Sequence, residues 1–363
     1  MNNVSSGEGC PVLQTIRILF FTSLLLPGSP PSHFPAPLIP EGFEPTEESI
    51  ALGKKLFHEN ALSVTNTVSC TFCHLSHEAF SDPSNQPWGV RPGQATRRHS
   101  MPLFNLAWKK GPFRWDGDEE TLRGQILRPI SDPIELGENL TTLPDKLAKV
   151  GNYPDLFDDV FGDSEINSER LAVAIEHYLL SLVSADSKFD QAEKGETELT
   201  EEEELGRTLF FQPVENGDGV KGAGCAQCHP APLFTDNDFH NNGLVPRRRD
   251  RGREEVTGKK EDRFKFVTPS LRNIAITSPY MHDGRFATLE EVVAHYSANL
   301  YQSETLAPSL AKLPNRGLSL STSEQAALVA FLKTLTDPVY LDEQEAPLIE
   351  VEDPFAYYPK ERY

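Results

Sequence analysis

Two short motifs place a pair of cysteines directly before a histidine. The sequence reads VSCTFCHL from Val68 to Leu75 and GCAQCHP from Gly224 to Pro230. In a Cys-x-x-Cys-His motif, both thiols can add to the vinyl groups of one porphyrin while the adjacent imidazole binds its iron. The sequence therefore predicts two covalently bound haem c groups. Their attachment and proximal residues are Cys70, Cys73, His74, Cys225, Cys228 and His229.

Two other kinds of site also use paired cysteines. A zinc site would need both pairs to close one set of four ligands, and here about 150 residues separate them. A thioredoxin-like redox pair has no use for the histidine that follows. Haem attachment is therefore the favoured interpretation.

Each motif follows a similar predicted helix. TEESIALGKKLFHE begins at Thr46 and LTEEEELGRTLFFQP contains Thr200 near its start; both threonines can cap a helix with an acidic first turn and an apolar stripe. Such a repeat indicates two copies of one unit. Further helices are predicted in LPDKLAKV, in SERLAVAIEHYLLSLVSADSKFD and in TSEQAALVAFLKTLTD, the last opening at Thr322 or Ser323.

Strand-like alternation is scarce, so the predicted fold is mainly α, with two cytochrome c-like domains that each bind one c-type haem. A length of 363 residues is consistent with two domains. The charged stretch Gln191 to Thr200 suits a linker between them. The expected segments are a leader (1–29), a proline-rich tether (30–45), an N-terminal haem domain (46–195), a C-terminal haem domain (196–340) and a tail that packs back on the body (341–363).

The N-terminal apolar run and the charge indicate where the chain works. IRILFFTSLLLPGS, from Ile16 to Ser29, has the layout of a secretory leader and is too short to span a bilayer. Because bacteria attach haem c outside the cytoplasm, a periplasmic or otherwise exported protein is expected. An uncleaved leader that tethers the chain to the membrane and an over-extended start codon stay open. The net charge of −20 disfavours nucleic acid as a partner, and the charged segment Pro246 to Arg263 is expected to be a solvated loop.

Two longer segments resemble a known family. RRHSMPLFNLAW and FRWDGDEETLRGQILRPISDPIELG lie between Arg97 and Gly137, and FVTPSLRNIAITSPYMHDGRFATLEEVVAHY runs from Phe266 to Tyr296. They resemble the diheme bacterial cytochrome c peroxidases and their relative MauG, an enzyme that matures a tryptophan-derived cofactor. The resemblance extends from Glu48 to Asp337 with the motifs in the same order. It implies that the N-terminal haem is peroxidatic and that the C-terminal haem stores and relays an oxidising equivalent.

The resemblance assigns three residues of the first segment. Trp115 is similar to the tryptophan that lies between the two haems and couples them. Gln125 and Glu135 are similar to a distal-pocket pair in which the glutamate moves the peroxide proton, which is general acid–base chemistry. Without the resemblance, Trp115 would be a core aromatic residue and Glu135 a surface carboxylate.

The second segment offers two candidates for the sixth ligand of the C-terminal haem. Family members with a high-potential haem place a methionine shortly after the LEE helix start, whereas this chain has Tyr296 there, as MauG-like enzymes do. A phenolate ligand lowers the reduction potential. Met281, in PYMHDG, is the competitor by its chain distance from His229. We expect Tyr296, and Met281 stays the alternative.

This sequence departs from the family pattern at two further features, the histidine over the peroxidatic haem and the calcium site. Reductively activated members hold a histidine over the peroxidatic haem, but the corresponding loop, NQPWGVRPGQATRR, contains none and has Arg91 near that place. The nearest histidines, His77 and His99, are expected to be loop residues or to contact haem propionates. The peroxidatic iron is therefore expected to be open without prior reduction.

The family also binds calcium between the haems. The resemblance implies carbonyl ligands from Thr277 and Pro279, but the asparagine ligand is replaced by His99, which suits a hard cation poorly. Calcium is thus an open expectation. Arg98, Arg272 and His282 are expected to bond propionates or backbone.

The expected function is a diheme c-type peroxidase that reduces hydrogen peroxide to water, with electrons from a small cytochrome or cupredoxin. One alternative is a MauG-type oxidase that acts on side chains of a partner protein. Another is a non-catalytic diheme electron-transfer protein, which a carboxylate at an open iron argues against. The sequence leaves the electron donor and the oligomeric state open.

Overall fold

A computed structural model of the chain describes residues 30–40, 42–214, 222–247 and 250–341. The leader, Cys10 and nearly all of the C-terminal tail that was expected to pack back on the body lie outside these ranges. The fold is mostly helical, as the sequence predicted. Within the described ranges, no helix combines the length and apolar character that crossing a membrane requires.

The described residues contain eleven α-helices, nine short 3₁₀ helices and one small sheet. The helices are α1 (Glu47–Phe57), α2 (Leu122–Ser131), α3 (Leu143–Leu147), α4 (Tyr153–Phe161), α5 (Ser168–Leu180), α6 (Lys188–Glu193), α7 (Glu201–Phe211), α8 (Glu254–Thr257), α9 (Leu289–Ala298), α10 (Pro308–Ala311) and α11 (Thr322–Lys333). Strands β1 (Phe239–His240) and β2 (Phe266–Val267) pair antiparallel, with Phe239 opposite Val267.

The helix starts follow the predicted caps with one shift. Thr46 caps α1 and Thr200 caps α7 through side-chain bonds to the third helical residue. The cap of α11, however, is Ser321, and the prediction of Thr322 or Ser323 is wrong. Ser321 is chosen because Glu324, three residues on, accepts its backbone N–H at 2.7 Å and completes a capping box.

The repeated unit is a pair of packed helices in each half of the chain. Helix α1 packs on α5 in the N-terminal half, and α7 packs on α11 in the C-terminal half. In both, a glycine faces the partner backbone: a Cβ at Gly53 would lie 1.9 Å from the carbonyl oxygen of Ala174, and one at Gly206 would lie 1.9 Å from that of Ala327. The Leu-Phe pair that follows each glycine is buried in the hydrophobic core of its own half.

The proline-rich segment packs against the folded body, in contrast to the expected tether. Phe34 is buried, and its ring centroid lies 4.8 Å from the guanidinium carbon of Arg272. The carbonyl oxygen of Pro35 accepts a bond from the indole of Trp108 at 2.7 Å. An apolar side chain in a segment otherwise rich in proline thus holds it to the surface.

The charged segment after β1 also differs from the expected solvated loop. Arg98 donates to both carboxylate oxygens of Asp250 at 2.9 Å, and Arg97 donates to Glu255 on α8 at 2.6 Å. Arg253 stacks over Phe239, 3.8 Å from the ring centroid. Asp250 and Glu255 therefore join this segment to arginines of the N-terminal half, while Arg263 pairs locally with Glu254. The first residues of the predicted linker, from Gln191 to Glu193, are helical, because helix α6 extends to Glu193.

Candidate functional site

Each Cys-x-x-Cys-His motif folds as a single tight turn. The backbone N–H of His74 donates to the carbonyl of Cys70 at 3.1 Å, and that of His229 donates to the carbonyl of Cys225 at 3.0 Å. Both turns open with a short 3₁₀ helix, Cys70–Phe72 and Cys225–Gln227. The two motifs therefore have the same local geometry, as expected for two copies of one cofactor site.

The two motif histidines are oriented in the same way. Nδ1 of His74 lies 2.7 Å from the carbonyl oxygen of Phe80, and Nδ1 of His229 lies 3.0 Å from that of Phe234. Because a carbonyl can only accept, Nδ1 carries the proton and Nε2 presents its lone pair to a metal. Burial lowers the pKa of both histidines, that of His74 to about 4, so both imidazoles are neutral at pH 7. This is the state in which histidine binds iron.

The motif cysteines are half-buried free thiols without a disulfide among them. Burial raises the pKa of Cys70 and of Cys225 to about 12, which disfavours the thiolates that a zinc site needs. Cys228 lies near Asp236 and His240, with ligand atoms within 4.8 Å of one another. His240 already bonds the Asp236 carboxylate at 2.8 Å, so this cluster is engaged internally.

A cavity of about 380 Å³ opens beside His74. Trp115, Gln125 and Glu135, the three residues that the resemblance assigned, all line it. Gln125 comes from α2, and Glu135 comes from the turn just after that helix, so one helix positions both. The side-chain oxygen of Gln125 is buried and has no hydrogen-bond partner in the structure, which leaves it free to bond a ligand in this cavity.

Burial raises the pKa of the Glu135 carboxyl, and nearby arginines partly oppose this effect. Arg114 and Arg128 lie close enough to lower the pKa of Glu135, and both also bind Asp118, at 3.0 and 2.9 Å. A carboxyl group with a raised pKa can both accept and return a proton near neutral pH. Neither arginine was among the predicted site residues.

Lys109 provides a test of whether a haem fits the first cavity. Its ammonium lines the cavity, 3.5 Å from the side-chain oxygen of Asn237 and 5.8 Å from the Phe113 ring centroid. Burial alone lowers the pKa of Lys109 to about 8, and no described carboxylate raises it. A half-buried cation without an anionic partner fits a cofactor that brings its own carboxylates, as the propionates of haem do.

The second cavity, of about 220 Å³, is lined mainly by apolar side chains. Cys225, Cys228 and His229 of the second motif line it, which suits a flat apolar macrocycle attached there. Tyr296, from α9, and Met281 both line the same cavity. The structure thus brings both predicted candidates for the sixth ligand together, and burial raises the pKa of Tyr296 to about 12.

Trp115 lines both cavities, as expected for a residue between two haems. Its indole N–H donates to the carbonyl of His99 at 2.8 Å. The Trp115 ring lies 6.5 Å from that of His282, which stacks on Phe266 at 3.6 Å. The guanidinium carbon of Arg98 lies 5.3 Å from the centroid of the Phe266 ring. An aromatic group therefore connects the two candidate haem sites.

Of the three residues considered near the distal loop, His77, Arg91 and His99, only His99 lines the first cavity. His77 and Arg91 are exposed, and neither lines the first cavity. His99 does line it, but its Nδ1 lies 3.1 Å from the carbonyl of Ser84 and its Nε2 lies 3.2 Å from the hydroxyl of Ser81.

These contacts of His99 bear on the calcium expectation. Both ring nitrogens are engaged, and calcium takes six to eight oxygen ligands. Thr277 is buried and Pro279 follows it closely, yet the side chain at the asparagine position offers nitrogen that is already bonded. The site does not fit a calcium ion.

Comparison with known proteins agrees with this geometry. The sequence model of the di-haem cytochrome c peroxidase family matches residues 47–198 and 200–336. The chain is 34% identical over 293 residues to the methylamine utilization protein MauG of Methylorubrum extorquens, covering 80% of this chain and 78% of that one. It is 31% identical over 290 residues to cytochrome c551 peroxidase of Nitrosomonas europaea, covering 78% of this chain and 79% of that one.

The fold also matches that of a solved structure. The crystal structure of a MauG-like protein associated with microbial copper homeostasis superposes with a TM-score of 0.76 at 31% identity, covering 87% of this chain and 97% of that one. The mostly helical fold with two haem-binding motifs defines a c-type diheme oxidoreductase. The chain belongs to the di-haem cytochrome c peroxidase family, which includes MauG.

Proposed function

We propose that the chain is an exported diheme peroxidase that reduces hydrogen peroxide to water, with electrons from a small cytochrome or cupredoxin. Two cytochrome c-like domains, residues 46–195 and 196–340, each carry one covalently attached haem. The observation that carries the proposal is that Glu135 and Gln125 line the same cavity as the imidazole of His74. When bound, the haems supply the iron and the redox equivalents.

Glu135 moves the proton of the peroxide. Its carboxylate accepts the proton from one peroxide oxygen and donates it to the other, and this assists cleavage of the O–O bond. Two further protons and two electrons complete the reduction of one peroxide to two waters. Because burial raises its pKa, Glu135 can hold the transferred proton between these two steps.

Gln125 orients the peroxide. Its buried side-chain oxygen has no hydrogen-bond partner in the structure, so it can accept a bond from the O–H of a ligand in the cavity. A peroxide that donates its O–H to this oxygen is therefore bound in one preferred orientation. Trp115 lies between the two sites and couples them, and Tyr296 serves the C-terminal haem as its sixth ligand.

Glu135→Gln in the full-length holoprotein tests this proposal. The amide keeps the size of the side chain and cannot accept the proton, so the rate of reaction with peroxide should fall by about 10²–10⁴-fold while both haems stay attached. Glu120→Gln is the matched control, because Glu120 is exposed in the same segment and does not line the cavity. Rapid mixing of the fully ferric protein with peroxide measures the rate. An unchanged rate in Glu135→Gln would remove this residue from the reaction.

The MauG relatives favour a second candidate, in which peroxide is the oxidant and a side chain of a partner protein is the substrate. The test is whether peroxide-treated protein is reduced faster by a small cytochrome or cupredoxin or by a candidate partner protein.

A plain electron carrier would need a sixth ligand in the first cavity. Met101 lines that cavity and packs with the Trp115 cluster. A resting spectrum with both haems purely low-spin would favour the carrier, and a high-spin ferric signal favours the peroxidase.

A further inference from the structure

We propose that Asn242 is a positioning residue that selects Tyr296, and not Met281, as the sixth ligand of the C-terminal haem. The inference rests on the proposed function, in which this haem carries a phenolate ligand. Asn242 lines the second cavity together with both candidate ligands. Its side chain contacts each of them.

The first contact engages the sulfur of Met281. Nδ2 of Asn242 donates a hydrogen bond to Sδ of Met281 at 3.4 Å. A thioether sulfur has two lone pairs and binds iron through one of them, so a donor that engages the other reduces the electron density that the sulfur can give to the metal. Asn242 therefore weakens Met281 as an iron ligand without removing it from the cavity.

The second contact supports Tyr296. The Asn242 amide and the Tyr296 side chain line the same cavity, and the amide lies close enough to lower the pKa of the Tyr296 hydroxyl by hydrogen bonding, against the larger effect of burial. The side-chain oxygen of Asn242 faces the backbone N–H of Leu244 at 3.4 Å, and a primary amide has two N–H donors. The amide group can thus serve the sulfur with one donor and the phenolate oxygen with the other. A hydrogen bond from this second donor orients the Tyr296 oxygen within the cavity.

The backbone around Asn242 holds this arrangement in place. The ring nitrogen Nε2 of His295 lies 3.0 Å from the carbonyl oxygen of Asn242. His295 directly precedes Tyr296 on α9, so a change in the position of Asn242 is linked to the ligand helix. These contacts fix the amide between the two candidate ligands.

Met281 is also held in place by its turn. Its φ of +74° lies in the left-handed region, which a non-glycine residue adopts only where surrounding structure imposes it. Gly284, three residues further along the turn, donates its backbone N–H to the Met281 carbonyl at 3.2 Å. Since neither the turn nor the helix shifts easily, the amide of Asn242 decides between two ligands that are both already at the cavity.

Asn242→Leu in the full-length holoprotein removes both N–H donors. We expect loss of the phenolate signature of the second haem in its absorption and resonance Raman spectra, gain of a methionine-ligated spectrum, and a higher midpoint potential. The double variant Asn242→Leu/Met281→Leu removes the competitor as well, so it should regain the phenolate signature. Asn242→Asp keeps the size of the side chain while removing both donors, and should resemble Asn242→Leu if that variant folds poorly.

The matched control is Asn241→Ala, because the Asn241 amide points to Ser303 and Thr305 at 3.0 and 2.9 Å. This control should leave the ligand signature of the second haem unchanged. Retention of the phenolate signature and the potential in both Asn242 variants would overturn the role of Asn242. A methionine-ligated spectrum in the unmodified protein would instead overturn Tyr296 as the ligand, and the selection with it. Peroxide reactivity at the first haem, which depends on Glu135, reports separately on the proposed function.

Discussion

Replacing Gly206 with alanine adds one methyl group where α7 crosses α11. The new Cβ would lie 1.9 Å from the carbonyl oxygen of Ala327 and 2.7 Å from Cβ of Phe331. Real Cβ atoms essentially never approach a neighbour closer than 3.0 Å, so the two helices must separate by about 1 Å. The clashing oxygen belongs to the backbone and cannot rotate away.

Two effects of this substitution oppose each other. Helix propensity alone favours alanine over glycine by about 0.8–1 kcal/mol. Overpacking in a well-packed interior costs about 1–3 kcal/mol and occasionally more, and a backbone-to-backbone contact lies at the upper end. We therefore expect Gly206→Ala to lower the free energy of unfolding by about 2 kcal/mol, or the melting temperature by about 4–8 °C.

Calorimetry of the holoprotein measures this change. Gly53→Ala should have a similar effect, because its Cβ would lie 1.9 Å from the carbonyl oxygen of Ala174. The spectrum of the second haem should respond to Gly206→Ala and that of the first haem to Gly53→Ala. Ala51→Ser, at an exposed position of α1, is the control and should change stability by no more than about 0.5 kcal/mol. A rise in melting temperature for either glycine variant would refute the close packing of the repeated helix pair.

Three further predictions follow from the described contacts. The rate of peroxide reaction should fall as pH falls through the raised pKa of Glu135, so its acid limb should lie above 4.5, the ordinary carboxyl value, in a pH series by rapid mixing; a limb at or below that value would contradict the burial of this group. Arg272→Met removes the two bonds at 2.7 and 2.8 Å that Arg272 donates to the buried carboxylate of Asp190. Urea titration should show that the free energy of unfolding falls by about 3–5 kcal/mol, and a fall of less than about 1 kcal/mol would mean that the pair is dispensable. Trp115→Phe keeps an aromatic ring but loses the bond to the His99 carbonyl; after peroxide addition the second haem should respond more slowly than in the unmodified protein, and an equal response would exclude coupling through Trp115.

The haem motifs and the repeated helices could be predicted from the sequence because their chemistry depends on neighbours in the chain. The Cys-x-x-Cys-His spacing is the one that attachment to a single porphyrin requires, and each motif folds as one turn. The caps at Thr46 and Thr200 are likewise local signals. Gln125, Glu135 and Trp115 came from the family resemblance, and the structure brings all three to one cavity.

Other residues of the sites depend on contacts between distant parts of the chain. Asn242 meets Met281 and Tyr296 only after β1, the PYMHDG turn and α9 pack around one cavity. Lys109 becomes a half-buried cation because the first cavity forms around it. Phe34 lies in a proline-rich segment whose composition indicated a tether, and only its packing under Arg272 reveals its place in the fold.

The number of covalently attached haems per chain tests the central claim most directly. The purified protein should give two haems per polypeptide by its pyridine haemochrome spectrum, and its intact mass under denaturing conditions should exceed that of the processed chain by two haem groups. Cys225→Ser/Cys228→Ser should reduce the covalent count to one. A single covalent haem, or none, in the unmodified protein would contradict the two-site account.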